Sequence, residues 1–126
     1  MLSFNSDSIK IDIVGRWTGE DQGVVGFMIF DSEGYASMEF SGKVMGGKSF
    51  LMNGENAKMT YTFNSDKDPA ELDMIVSNED GKIIRAIYCI AEFKNKNNMK
   101  LAASFGSPTR PAEFTEKNTM NLTRIE

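Results

Sequence analysis

Short segments in which apolar and polar residues alternate recur along this chain at intervals of roughly ten residues. Clusters of Gly, Asn, Asp and Pro separate the segments. Residues 57–63 show the pattern most clearly, because every second residue is apolar and the intervening residues are Lys or Thr. Such alternation predicts strands with one buried face, and no long stretch keeps the apolar spacing of a helix. The chain is therefore predicted to be all-β.

The pattern predicts eight strands. Residues 42–53 are glycine-rich and irregular, so they are predicted as a loop that contains a short apolar piece. Short links between most strands favour an antiparallel up-and-down meander, and closing the meander into an eight-stranded β-barrel removes its exposed edges. A barrel of this size has room for side chains or for one small ligand. The predicted strands are residues 9–18, 24–30, 35–41, 57–63, 71–77, 82–93, 99–105 and 119–125.

Composition and charge fit one ordinary globular domain spanning residues 1–126, with residues 1–8 as a candidate flexible end. The net charge is -4, and no run of Lys or Arg is long enough to neutralise a track of phosphates, so nucleic acid is not an expected partner. No apolar run predicts a membrane-spanning helix. The first residues lack the pattern of a secretory signal, so a cytoplasmic location is expected unless a leader has been removed.

The residues that usually carry enzyme or metal chemistry are scarce. The chain has no His, which removes the commonest general base and the commonest metal and haem ligand. Its single Cys89 can form no intrachain disulfide, and its apolar neighbours predict an inert, buried thiol. No catalytic residue, metal site or cofactor is therefore predicted. A solvated turn is the favoured interpretation of four nearby carboxylates that lack calcium-loop spacing, namely Asp66, Asp68, Glu71 and Asp73.

Trp17 and Arg124 form a candidate pair at one end of the barrel. A closed barrel would bring the first strand, with the only Trp, beside the last strand, where Arg124 shares a face with Met120 and Leu122. Stacking of the guanidinium on the indole would explain a cation on that apolar face. The alternative is an Arg that is solvated near the end of the chain. With Gly15, the stacked pair would close the barrel structurally rather than bind a ligand.

The same residues, Gly15, Trp17 and Arg124, resemble the lipocalin-like group of the calycin superfamily. Most of the chain from residue 15 onward is similar to a family of small bacterial lipocalin-like domains first grouped in planctomycetes. The resemblance implies a barrel with an internal apolar pocket and no established activity, and the His ligand of haem-binding relatives is absent. The segments that carry it are residues 30–35, 68–73, 87–90 and 110–114.

The predicted site lies in the barrel interior. Nine methionines suit either an adaptable apolar cavity or an ordinary core. The first alternative predicts noncatalytic binding of a small hydrophobic or amphipathic ligand, oriented by the hydroxyls of Tyr61 and Tyr88. The second predicts a structural or protein-interaction domain with a filled barrel, in which an edge such as residues 42–53 pairs with a partner or a second copy. The predicted ligand-binding residues are Met28, Phe30, Met38, Phe40, Met59, Tyr61, Phe63, Met74, Tyr88, Leu101 and Phe105.

Overall fold

The computed structural model describes residues 12–21, 24–104 and 109–125, so the candidate flexible residues 1–8 lie outside the described ranges. No helix within them is long and apolar enough to cross a membrane. The described chain forms ten antiparallel strands in one sheet. These are β1 (Gly15–Asp21), β2 (Val24–Phe30), β3 (Ala36–Phe40), β4 (Lys43–Gly46), β5 (Phe50–Met52), β6 (Glu55–Asn64), β7 (Ala70–Asn78), β8 (Ile83–Asn95), β9 (Asn98–Ala103) and β10 (Thr119–Arg124).

The sheet curls into a nearly closed barrel. Its strand order is β4-β3-β2-β1-β10-β9-β8-β7-β6-β5, so β1 and β10 pair near the middle and the prediction of an antiparallel meander is confirmed. A short seam joins the two ends of this order. Gly47 donates its N–H to Ala36 O and accepts from Met59 N, while Tyr61 N donates to Gly34 O. These bonds connect the beginning of β3 to the middle of β6.

The number of strands differs from the prediction, because residues 42–53 were wrongly predicted as a loop. They form β4 and β5, which are only four and three residues long. Segments this short contain too few alternations to stand out among glycines. A two-residue turn with positive φ at Asn53 (53°) and Gly54 (83°) connects β5 to β6, and this geometry matches the twist of a hairpin.

The first strand also begins later than predicted. β1 starts at Gly15, and residues 12–14 are not part of the sheet. They cross the lower end of the barrel, defined here as the end that contains Trp17 and Arg124. Ile13 is buried there, and its carbonyl accepts a hydrogen bond of 3.0 Å from Trp17 Nε1. The apolar Ile13 therefore covers the core at this end and does not belong to a strand.

A second segment outside the sheet follows β9. Residues 109–118 lie against the outer face of β7, β8 and β9, where Pro111 is buried and Lys100 Nζ lies 4.7 Å from the centre of the Phe114 ring. Ile90 and Ala102 on this outer face are buried although they lie outside the interior core. This strap explains why β8 is apolar on both faces.

Candidate functional site

Most of the predicted ligand-binding residues do face the barrel interior, where they form its core. Phe40, Tyr61 and Phe63 are half-buried and pack against that core. The deeper members are at most 4% exposed, and they are Met28, Phe30, Met38, Met59, Met74 and Leu101.

The middle of the barrel is filled by side chains. Met59, Leu72 and Met74 are 0% exposed, as is Trp17 below them. A side chain that lines a cavity large enough for water keeps some surface open to a water molecule inside it. These four side chains therefore contact protein atoms on all sides, as in a close-packed core.

Tyr61 is placed inside the barrel, but its hydroxyl already has a partner. It donates a 2.7 Å hydrogen bond to the carbonyl of Asp31. The ring packs edge-on against Phe30, with 5.0 Å between ring centres. Burial, with the nearby negative charge of Asp31, raises the pKa of Tyr61 above its ordinary value. The hydroxyl therefore fixes the loop after β2 against β6.

Tyr88 does not face the interior, contrary to the prediction. It pairs with Asp73 across β7 and β8, whereas the neighbouring Leu72–Cys89 pair points into the core. Its ring lies on the outer face, 5.3 Å from the guanidinium carbon of Arg110. Alternation could not assign the faces of β8, because apolar side chains lie on both faces, one set against the core and the other against the strap. Phe105, the last predicted ligand-binding residue, lies outside the described residues.

Arg110 anchors the strap through several contacts on the outer face. Its Nη1 donates a 2.9 Å hydrogen bond to Cys89 O, and its Nη2 lies 2.8 Å from Asp73 Oδ1. Its Nε lies 3.6 Å from Glu71 Oε2. Glu71 and Asp73 were predicted only as carboxylates of a solvated turn. Their spacing of two residues on one strand, which places both on one face, was the signal that could have indicated a cation opposite them.

Cys89 lies in the core and has no exposed surface. Burial is the main cause that raises the pKa of its thiol to about 12, and the charge of Asp73 adds to the effect. Because the thiolate is the reactive form, both burial and protonation oppose reaction. Within the described ranges, no group of three or more His, Cys, Asp or Glu could hold a metal ion.

We expect the Cys89 thiol of the native protein to react with iodoacetamide far more slowly than a free thiol, throughout the neutral and mildly alkaline range. The rate of alkylation, followed by mass spectrometry, should rise to that of an ordinary thiol once urea unfolds the protein. Fast alkylation of the folded protein would contradict the placement of Cys89 in the core.

The lower end of the barrel is held by Arg124. Its guanidinium carbon lies 4.4 Å from the centre of the Trp17 ring, as expected for a stacked pair. The guanidinium donates to the carbonyls of Asp12, Val14 and Lys96. It therefore links the crossing segment, the turn after β8 and the last strand, with backbone carbonyls as its hydrogen-bond acceptors.

The upper end of the barrel, opposite Trp17, contains a break in the wall. Above Gly47, β4 pairs only with β3 and β5 pairs only with β6, and no backbone hydrogen bond among the described residues joins β4 to β5. The side chains of Val44 and Leu51 are 67% and 72% exposed. Two apolar residues thus stand on facing edge strands.

No protein-family model, no curated protein and no solved structure matches this chain.

The core beneath the upper end is covered by its own side chains. Gly19 and Gly26 pair across β1 and β2. A Cβ atom at Gly26 would lie 2.1 Å from the Phe40 ring, and one at Gly19 would lie 2.6 Å from Leu122 Cδ2. Neighbouring side chains therefore fill the space that side chains at the glycines would take. The candidate functional site is therefore the open edges of β4 and β5, where the apolar side chains of Val44 and Leu51 are exposed.

Proposed function

We propose that this chain is a noncatalytic protein-interaction barrel, in which the interior is a core rather than a ligand cavity. The observation that carries this proposal is the burial of Met59, Leu72 and Met74, which leaves them no surface for a ligand. Of the two functions predicted from the sequence, the structure therefore favours the one with a filled barrel. We also propose, from residues 15–17 and Arg124 alone, that the barrel is lipocalin-like.

The chemistry of the described side chains supports a noncatalytic role. The Cys89 thiol is buried and protonated, and the carboxylates of Glu71 and Asp73 both form ion pairs with Arg110. The hydroxyl of Tyr61 is bound to a carbonyl. Each of these groups has a role in holding the barrel together, so the part of the molecule left for function is its outer surface and edges.

The exposed edge strands indicate where a partner would bind. Edge strands present unpaired backbone groups, and soluble proteins usually protect them with charges, Pro or a bulge. Here, the middle residue of β5 is Leu51, and β4 places Val44 beside Lys43 and Met45. An apolar side chain at the centre of an open edge is favourable when another chain covers it.

A ligand screen with a cavity variant tests this proposal. We expect fatty acids, retinoids and sterols to leave the Tm of the natural protein unchanged, and native mass spectrometry to show no retained small molecule. Met74→Ala should create an apolar void, so benzene should raise the Tm of this variant but not that of the natural protein, by binding the folded state alone.

Stabilisation of the natural protein by one of these lipids, with a retained mass at one ligand per chain, would overturn the filled-barrel proposal. A matched control is Val25→Ala, because Val25 is 53% exposed on the outer side of the barrel and its truncation should create no benzene site.

A further inference from the structure

We propose that the break between β4 and β5 accepts an extended segment of a partner protein, which adds as a strand and completes the barrel wall. The segment would have apolar residues at alternate positions. This inference rests on the proposed function, since it names the kind of partner that an interaction barrel would bind. Strand addition of this type supplies affinity through backbone hydrogen bonds and specificity through alternate side chains.

The backbone of β4 has groups directed into the break. Gly47 N donates to Ala36 O, so Ala36 directs its backbone N–H and C=O toward β4. Successive residues of a strand direct these groups to opposite sides, so Glu39, three residues later, directs them toward β2. Val44 pairs with Glu39 across β3 and β4, and this pair makes no mutual hydrogen bonds. The N–H and C=O of Val44 therefore point away from β3, toward the open side.

The backbone of β5 also has groups directed into the break. The two-residue turn at Asn53 and Gly54 closes on the pair Met52–Glu55, which is hydrogen-bonded in a hairpin of this type. The next pair, Leu51–Asn56, is then not hydrogen-bonded. Leu51 thus directs its N–H and C=O away from β6, so both edges of the break offer a donor and an acceptor to an inserted backbone.

The side chains at the break favour an apolar segment. Val44 and Leu51 are exposed on the outer side. On the inner side, Met45, Phe50 and Met52 are half-buried and pack against the core. An inserted strand would therefore meet apolar side chains on both of its faces. Methionine adapts its shape to different neighbours, which suits a site for the side chains of a partner.

Proline substitutions on the two edges separate strand addition from other ways of binding. Proline removes one backbone donor and is tolerated at edge positions where that donor faces outward. Val44→Pro and Leu51→Pro should therefore keep the pairing with β3 and β6 while removing a donor from the break. Val44→Thr is the matched control, because it keeps both the donor and the shape of the side chain.

The probe is a random peptide library displayed on phage and selected on the full chain. We expect the enriched peptides to alternate apolar and polar residues, and each proline variant to bind them about tenfold more weakly, as for the loss of one hydrogen bond. Binding should also slow hydrogen exchange at the amides of Val44 and Leu51 in the natural protein. This second readout does not depend on the folding of the proline variants.

Three results would overturn the inference. The first is a selection that yields no binder, or binders without alternation. The second is equal affinity for the natural protein and both proline variants, with no slowing of exchange at Val44 and Leu51. The third is a dimer of this chain in solution in which these two amides are protected without peptide. If peptides bind elsewhere, only strand addition fails, whereas a retained lipid in the ligand screen would refute the proposed function itself.

Discussion

Trp17→Ala is expected to lower the free energy of unfolding by about 3–5 kcal/mol, the usual cost of truncating a fully buried Trp. Trp17 is 0% exposed, packs edge-on against Phe93 with 5.8 Å between ring centres, and is stacked with Arg124. Its indole N–H also holds the segment that crosses the lower end. Since domains are typically stable by only about 5–15 kcal/mol, this loss should lower the Tm strongly.

The measurement is urea unfolding followed by far-ultraviolet circular dichroism, because the variant lacks the only Trp. Trp17→Phe should recover part of the stability, since it keeps a ring in the core but loses the hydrogen bond to Ile13. Val25→Ala, at an exposed position, should have a small effect. A Trp17→Ala variant no less stable than Val25→Ala would show that the lower end is not packed as described.

Gly46→Ala is expected to destabilise the protein by about 2–6 kcal/mol, through backbone strain combined with overpacking at the seam. Gly46 has a φ of 113°, a conformation that residues with a Cβ rarely adopt. The added Cβ would lie 2.5 Å from the carbonyl oxygen of Ala36 and 2.7 Å from Ser37 Cα. Because these are backbone atoms of β3, relief requires the end of β4 to move away from β3, and this movement disturbs the seam bonds of the neighbouring Gly47.

Gly54→Ala provides a matched control for this change. Its φ is 83°, yet a Cβ there would meet no atom within 4 Å. It should therefore lose only about 1–2 kcal/mol, the cost of a left-handed conformation without a clash. Equal Tm values for the two variants would contradict the close approach at the seam. Hydrogen exchange at Met59 and Tyr61, which donate across the seam, should quicken in Gly46→Ala alone.

The features that the sequence predicted well are those fixed by local alternation. The inner face of β6 is one example, since Met59, Tyr61 and Phe63 all face the core as their spacing requires. The turn after β7 is another, because it falls in the gap between the predicted strands 71–77 and 82–93, where Asn78 accepts backbone hydrogen bonds from Asp80 and Lys82 as an Asx-type turn. Each depends on residues that are close together in the chain.

The features that the sequence could not predict depend on distant segments. The face of Tyr88 could not be predicted, because the outer face of β8 also has apolar residues, which the distant strap at residues 109–118 covers. The short strands β4 and β5 are stabilised by β3 and β6 rather than by their own pattern. The contents of the barrel were also undecided, because the same methionines suit a cavity or a core.

The sequence by itself therefore determined an all-β meander and most strand positions, and it indicated Trp17 and Arg124 as a candidate pair, since alternation and turn residues act locally and a closed meander joins its first and last strands. Only the tertiary structure decided how the middle of the barrel is packed, around the buried Met59, Leu72 and Met74, and that the wall breaks between β4 and β5. The physical reason is that both properties depend on how strands far apart in the chain meet. The packing of Met59 and the closure at Gly47 each require β3 and β6 to lie side by side. No local pattern of residues encodes the contact between two strands that are far apart in the chain.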